Sequence, residues 1–171
     1  MVSSIRTLLR TAIGRPPKLI CRRSVWNQGV DELHRRTAGR ECESGAFLLG
    51  TSKKSTRTIE RFLYYDDIDP TCFVHGIVEF DGRKFGLVWD RCRDLNLTVV
   101  ADVHVHPRGY GQSGSDRRNP MIAEVGHIAL ILPNYAAGMP LPGGIGVYEY
   151  LGDRQWKDHS KSGADIFRVG R

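Results

Sequence analysis

The chain has 171 residues, 40% of them apolar and 26% charged, which is the length of one domain with enough apolar surface for a core. No segment approaches the roughly 18 consecutive apolar residues of a membrane helix, so no membrane partner is expected. The formal charge of +6 gathers early: Arg6, Arg10, Arg15, Lys18, Arg22 and Arg23 all precede the first acid, Asp31. No aromatic residue interleaves them, so a solvated leader is expected rather than a nucleic-acid groove.

Residues 1–24 read as this basic leader or a short helix, and 25–171 as the domain. Met1 to Ile13 is acid-free, with Ile5, Leu8, Leu9 and Ile13 at helical spacing. It is similar to a transit peptide but lacks the apolar core of a secretory signal, and it assigns no organelle. Four scattered cysteines with no CxxC pair exclude a zinc ribbon or thioredoxin-like motif. They are expected as free thiols in a reducing cytoplasm.

In chain order, Val25 to Ala38 predicts a helix stopped by Gly39. The apolar run Ser44 to Gly50 predicts a buried strand, and the polar turn 51–55 leads into a second over Thr56 to Tyr65. Asp66 to Pro70 reads as loop. Alternation over Phe73 to Phe80 predicts a strand, and Gly82 to Leu95 an amphipathic helix through Phe85, Val88, Trp89, Cys92 and Leu95.

The β-branched run Leu97 to His106 predicts the next strand, ended by Pro107. Asn119, followed by Pro120, is placed as the cap of a short helix to Glu124. His127 to Leu132 and Ile145 to Tyr150 read as strands, the latter turned by Asp153-Arg154 into a short pairing at Gln155 to Lys157. Phe167 to Arg171 is a last strand or a tail. Strands and helices mix without strict alternation, so the fold class is α+β (mixed α/β).

Chemistry concentrates at His104-Val105-His106-Pro107 and Asp116. Alternate strand residues share a face, so His104 and His106 present two imidazoles one pleat apart. Asp116, on the loop that follows, supplies a third, oxygen ligand. Three protein ligands leave a tetrahedral zinc one open position, as in catalytic sites. Hydrolysis also needs a group to move protons, and Glu43, at the mouth of the Gly45 strand, is the candidate. Ser113, in a glycine-rich loop, offers a hydroxyl to an oxyanion; its plainer role is a turn serine. His127, before a purely apolar strand, reads as a satisfied core histidine or one that supports a ligand. His34, His75 and His159 carry no signal.

Glu43 with Gly45-Ala-Phe-Leu-Leu-Gly50, then His104-Val-His106-Pro107, then Ser113-Gly-Ser-Asp116, resembles the JAMM (MPN+, JAB) zinc metallopeptidase signature over about residues 40–135. One departure is visible: Pro107 and Ser113 are one residue closer together than in the commoner family pattern. The resemblance implies that His104, His106 and Asp116 bind Zn2+, that Glu43 is general base and proton shuttle, and that Ser113 helps hold the intermediate. It implies an MPN/JAB-like curved mixed β-sheet flanked by helices. It also implies hydrolysis after the C-terminal glycine of a ubiquitin-like protein, from isopeptide or peptide linkage.

Compact size and the 109–120 loop are more similar to prokaryotic JAB peptidases than to eukaryotic proteasome-lid or signalosome subunits. The implied setting is a bacterial ubiquitin-like conjugation system of antiphage defence, with its conjugation enzymes as further partners. That step is analogy between family members. An inactive MPN scaffold is the first rival; such members lack one or more of the Glu, His, His and Asp positions, and all four are present here. A JAMM peptidase on another peptide (cell-wall peptides, cysteine-carrier tails, a self-processing toxin) is the second. A zinc deaminase would need His-x-Glu and Pro-Cys-x-x-Cys, which are absent.

Overall fold

A computed structural model describes residues 16–170. Its eight strands form one mixed sheet in the order β7-β6-β5-β4-β2-β3-β1-β8, with helices interspersed along the chain, so the class is α+β. The strands are β1 Leu19–Arg22, β2 Gly45–Lys53, β3 Thr56–Tyr64, β4 Thr98–Val105, β5 Ile128–Leu132, β6 Gly146–Gly152, β7 Gln155–Asp158 and β8 Phe167–Gly170. The helices are α1 Arg23–Arg35, α2 Tyr65–Ile68, α3 Phe85–Leu95, α4 Gly114–Arg118 and α5 Gly163–Ile166. Among the described residues, no helix is long and apolar enough to cross a membrane.

The sheet's centre is buried on both faces, and this is why β2 carries an unbroken apolar run instead of alternation. Ala46 and Leu48 enter the core beneath α1, with Trp26, Val30 and Leu33. Phe47 and Leu49 enter a second core beneath α3, with Tyr65, Val88 and Cys92. The α1 residues recur at helical spacing, so one stripe of that helix is apolar and the rest is wet. Gly29 lies in that stripe because a Cβ there would collide with the Phe62 ring. Gly50 marks a β-bulge: the register with β3 shifts between Leu49 and Gly50, and a Cβ at Gly50 would strike the Thr58 carbonyl.

Two cores divide β4 by parity. Ala101, Val103 and Val105 pack into the α1-side core. Asp102 and His104 therefore point to the α3 side. β5 lies parallel to β4, with Asp102 opposite Ala129 and His104 opposite Ile131. Its Ile128, Leu130 and Leu132 join the α1-side core, leaving Ala129 and Ile131 on the same face as the histidines. Asp102 and His104 thus share one patch with Ala129 and Ile131.

Several expected elements differ. The stretch placed in the leader contains β1, an inner strand that pairs in parallel with both β3 and β8. The Met1 to Ile13 reading lies outside the described residues. Asp66 to Ile68, expected as loop, belongs to the single helical turn α2, where Arg36 binds both Asp66 and Asp67 and stacks over the Tyr64 ring.

Phe73 to Phe80 is a chain of turns and bends, not a strand. Its backbone donors are taken locally: the N–H of Glu79 bonds the Cys72 carbonyl, and that of Val78 bonds the Glu43 carboxylate. The helix expected from Asn119 also moves. Asn119 terminates α4, in a non-helical conformation that suits a residue before proline, and the cap is Ser113. The four cysteines are free thiols, three of them buried.

Candidate metal centre

β4 ends at Val105, and His106 follows with its N–H donated to the Leu132 carbonyl at 2.8 Å. The two histidines therefore stay in strand register, one pleat apart. His104 Nε2 and His106 Nε2 lie 2.9 Å from each other. Asp116 closes the triangle: Oδ1 is 3.5 Å from His104 Nε2, and Oδ2 is 3.4 Å from His106 Nε2. The edge of a tetrahedron about a zinc with bonds of about 2.0–2.1 Å is about 3.3 Å. One ligand atom from each residue lies within 4.8 Å of the others, a set that could hold a metal ion.

The loop reaches the histidines because Ser113 and Asp116 form a capping box. Ser113 Oγ accepts the Asp116 N–H at 3.1 Å, and Asp116 Oδ2 accepts the Ser113 N–H at 2.6 Å. A Ser-x-x-acid spacing satisfies two orphan donors of a helix start reciprocally. Here it also fixes the carboxylate between the imidazoles. The shorter Pro107 to Ser113 connection leaves Asp116 within reach of both rings. Ser113 uses its oxygen as an acceptor for the cap, and its hydroxyl proton has no acceptor among the described residues.

Glu43 enters from the other side of β4. The next residue, Ser44, is buried and donates its hydroxyl to the Leu33 carbonyl at 2.6 Å, while its own carbonyl accepts from Val105 N. The Glu43 N–H donates to the Gly76 carbonyl at 2.9 Å, and its Oε2 accepts from Val78 N at 3.2 Å. Glu43 shares a cavity of about 460 Å³ with His106, Ser113 and Asp116, and is not one of the three clustered ligand residues.

The segment that holds Glu43 is itself organised by Asp69, whose side chain is 1% exposed. That carboxylate accepts from Thr71 N, Thr71 Oγ1, Asp81 N and, at 2.5 Å, Lys84 Nζ. Asp69 is not among the sequence-predicted site residues; its signal is an Asp-Pro-Thr turn, with the aspartate two residues before the donor it captures.

Charge at the site follows from burial and neighbours. Burial pushes the Glu43 carboxyl above its ordinary value; the imidazoles of His104 and His106 oppose this, and burial wins. Burial alone would favour neutral His104, but the Asp116 carboxylate outweighs it and raises the imidazole above its usual value. Burial would raise Asp116 too, yet its hydrogen bonds with His104 and His106 hold it well below the carboxylate range. An ionised carboxylate between two imidazoles is a donor set of two nitrogens and one oxygen, which suits a borderline metal ion.

His127 is a buried histidine whose Nε2 lies 2.6 Å from Asp102 Oδ1, two residues from His104 on the same face. Asp102 is not among the sequence-predicted site residues; its signal is its parity with the two histidines along the strand. His34 and His159 hold the Tyr135 carbonyl and Glu149, away from the triad.

The chain is thus an α+β protein of one mixed sheet, with a His/His/Asp cluster at the end of a central strand. No family model matches it. Among solved structures it is similar to the solution structure of protein DSY2949 from Desulfitobacterium hafniense. The TM-score is 0.62 at 14% identity, over 88% of this chain and 92% of that one. At that identity the likeness is one of fold.

Two outcomes follow from the supports of the site. Asp69 is depressed mainly through its hydrogen bonds with Lys84, Asp81 and Thr71, which prevail over burial. Its contribution is present above the unfolded value of about 4 and lost as pH falls through the lower folded value. Asp69→Asn is expected to cost about 2 kcal/mol at neutral pH, with the gap from wild type narrowing below about pH 4. Urea unfolding at stepped pH reads this, and a gap that widens in acid contradicts it. Separately, Ser113→Ala is expected to weaken divalent-metal binding about tenfold and to cost about 1 kcal/mol. Ser113→Thr, which keeps the cap, should retain both in chelator competition and thermal melts.

Proposed function

We propose that the chain is a zinc-dependent metallopeptidase of the JAMM (MPN+) type. Its substrate on this reading is the bond after the C-terminal glycine of a ubiquitin-like protein, in a bacterial conjugation system of antiphage defence. The observation that carries the reading is the juxtaposition at one cavity. His104, His106 and Asp116 converge as a set that could hold a metal ion. Two of them, His106 and Asp116, line the same space as the partly desolvated Glu43 carboxylate and Ser113, whose hydroxyl proton has no acceptor among the described residues. The sequence resemblance supplies the family, and the mixed sheet with flanking helices agrees with the fold it implies.

Zinc, when held by His104, His106 and Asp116, supplies a Lewis acid that polarises a carbonyl and acidifies a water. Glu43 supplies the proton traffic. Its raised value brings the carboxylate closer to the range where a base can take a proton near neutral pH and return it to a leaving amine. The Val78 N–H holds the Glu43 carboxylate by one oxygen, Oε2. The Ser113 hydroxyl donates to the oxyanion of the tetrahedral intermediate, since its lone pair already serves the cap. Asp116 acts as ligand and cap partner together, so the ligand geometry and the oxyanion donor are set by one turn of helix.

The cavity is open to solvent, and its lining includes Pro107, Gly109 and Gly111, where the glycines present bare backbone, beside Ile77, Val78 and Arg108. Such walls admit a slender glycine-ended tail better than a branched one. Partners on this reading are the tail of a ubiquitin-like protein and the enzymes that conjugate it.

Metal analysis of purified protein is the decisive test. About one zinc per chain is expected in wild type, and markedly less in both His106→Ala and Asp116→Ala. Glu43→Ala should keep its zinc while losing turnover of a glycine-ended ubiquitin-like fusion at least about a hundredfold. A wild type that takes up no zinc overturns the reading in favour of a binding scaffold. Unchanged turnover in Glu43→Ala removes Glu43 from the mechanism, and equal cleavage of generic dipeptides removes the protein-tail substrate.

A further inference from the structure

A second cavity of about 460 Å³ lies on the other side of the triad, sharing Val78, Ser115 and Asp116 with the first. Its floor is the sheet patch formed by Asp102 and His104 of β4 and Ala129 and Ile131 of β5. Its walls include Phe80 from the segment before α3, Phe85 at the start of α3, Met121 from the loop after α4, and Trp156 from β7. Phe80 and Phe85 pack edge-to-face at 5.2 Å, and the Trp156 indole N–H donates to the Arg117 carbonyl, so these walls are fixed in place.

The polarity of this space is one-sided. Among the described residues, five carboxylates line it (Asp69, Glu79, Asp81, Asp102 and Asp116) and no lysine or arginine does, in a chain with a net charge of +6. The bases that pair with Asp69, Glu79 and Asp81 are Lys84, His75 and Arg83, and all three stand outside the lining. The inward face of each of these pairs is therefore its acid.

Asp102 is the deep member, with a side chain only 4% exposed. Its Oδ1 is held by His127 Nε2 at 2.6 Å. Among the described residues its Oδ2 has only the Tyr65 hydroxyl, at 3.5 Å, a long hydroxyl–carboxylate bond. Asp102 lines the cavity, and a carboxylate oxygen whose one donor is this distant keeps capacity for a second, closer one.

From this geometry we propose that the second cavity binds a primary ammonium group carried on an aliphatic stem, as in a lysine side chain. The stem lies along Phe80, Phe85, Met121 and Trp156, and the ammonium reaches Asp102 Oδ2. Aromatic faces stabilise the cation on its way past them, and the carboxylate completes a charge-assisted hydrogen bond. A guanidinium fits less well, because its fork wants both carboxylate oxygens and His127 already holds one.

Cation selectivity stands on this cavity alone; its assignment as the subsite for a residue flanking the scissile bond rests on the hydrolase reading above. On that reading the substrate carries a lysine, or a similar amine, next to the bond that is cut.

The test is direct binding, by NMR titration of the full chain with Nα-acetyl-lysine N-methylamide and its norleucine and arginine counterparts. None of these probes has a free α-amine to chelate metal. The lysine probe is expected to saturate and to bind at least about tenfold more tightly than norleucine, with arginine weaker than lysine. The Trp156 indole resonance should shift with it. In Asp102→Asn the preference for lysine over norleucine should disappear.

Equal affinity for lysine and norleucine, no saturable binding in the millimolar range, or a Trp156 indole that does not move overturns the inference. So does a folded Asp102→Asn that keeps the preference. The Trp156 shift in wild type decides the matter even where Asp102→Asn does not fold. Binding and turnover separate the two claims. A chain that binds the lysine probe but cleaves no tail refutes the hydrolase reading alone. One that cleaves tails without distinguishing the probes refutes this inference alone.

Discussion

Successive side chains of β4 leave opposite faces of a sheet that is covered on both sides, and the rest of the site depends on that alternation. Val103 and Val105 lock the strand's register into the α1-side core, where neither is exposed to solvent. A slip of one residue would bury His104 and Asp102 among Trp26, Val30 and Leu33, with no polar partner to receive them. The hydrophobic core thus fixes where the histidines point. Their separation and direction follow from strand geometry and need no further device.

What the sheet does not supply, carboxylates organise. Asp69 gathers three donors of the 69–81 segment and Lys84, Glu43 takes the Val78 N–H, and Asp116 takes the Ser113 N–H. Each converts an irregular stretch into a fixed wall by satisfying backbone groups that have no ladder to join. Glu43 and Asp116 do this while keeping oxygen capacity toward the site. A carboxylate has room for several donors, which is why one residue can shape a loop and face a ligand at once.

The triad sits at the boundary between two cavities of unlike chemistry. One is lined by glycines, a proline and the Glu43 and Ser113 groups. The other is aromatic and acidic over a floor of β4 and β5. For a hydrolytic centre this division separates the two sides of a scissile bond, and the tail reading and the amine reading each draw on one of them. The fold likeness to DSY2949 extends over nearly all of that chain, so the sheet is not peculiar to this sequence, whereas the polar residues on it are what any activity must use.

The local content of this protein was legible in the sequence where period and punctuation are strong. The apolar run Ala46 to Leu49, the amphipathic stretch of α3 and the β-branched run into His104 each determine an element, because backbone sterics and burial act within a few residues. Parity likewise determined that His104 and His106 share a face, and the Ser-x-x-Asp spacing contained the capping box, although the helix was expected six residues later, at Asn119.

Only tertiary structure decided that Asp116 folds back between the imidazoles, that Glu43 meets the Gly76 to Val78 backbone, and that Phe73 to Phe80 forms turns where alternation predicted a strand. It also decided that β1 lies between β3 and β8, inside a stretch whose basic composition read as a leader. In each case the deciding partner is distant along the chain or is a side chain competing for backbone hydrogen bonds. Such competition is settled by which groups the assembled sheet brings within reach, and no local pattern carries that information.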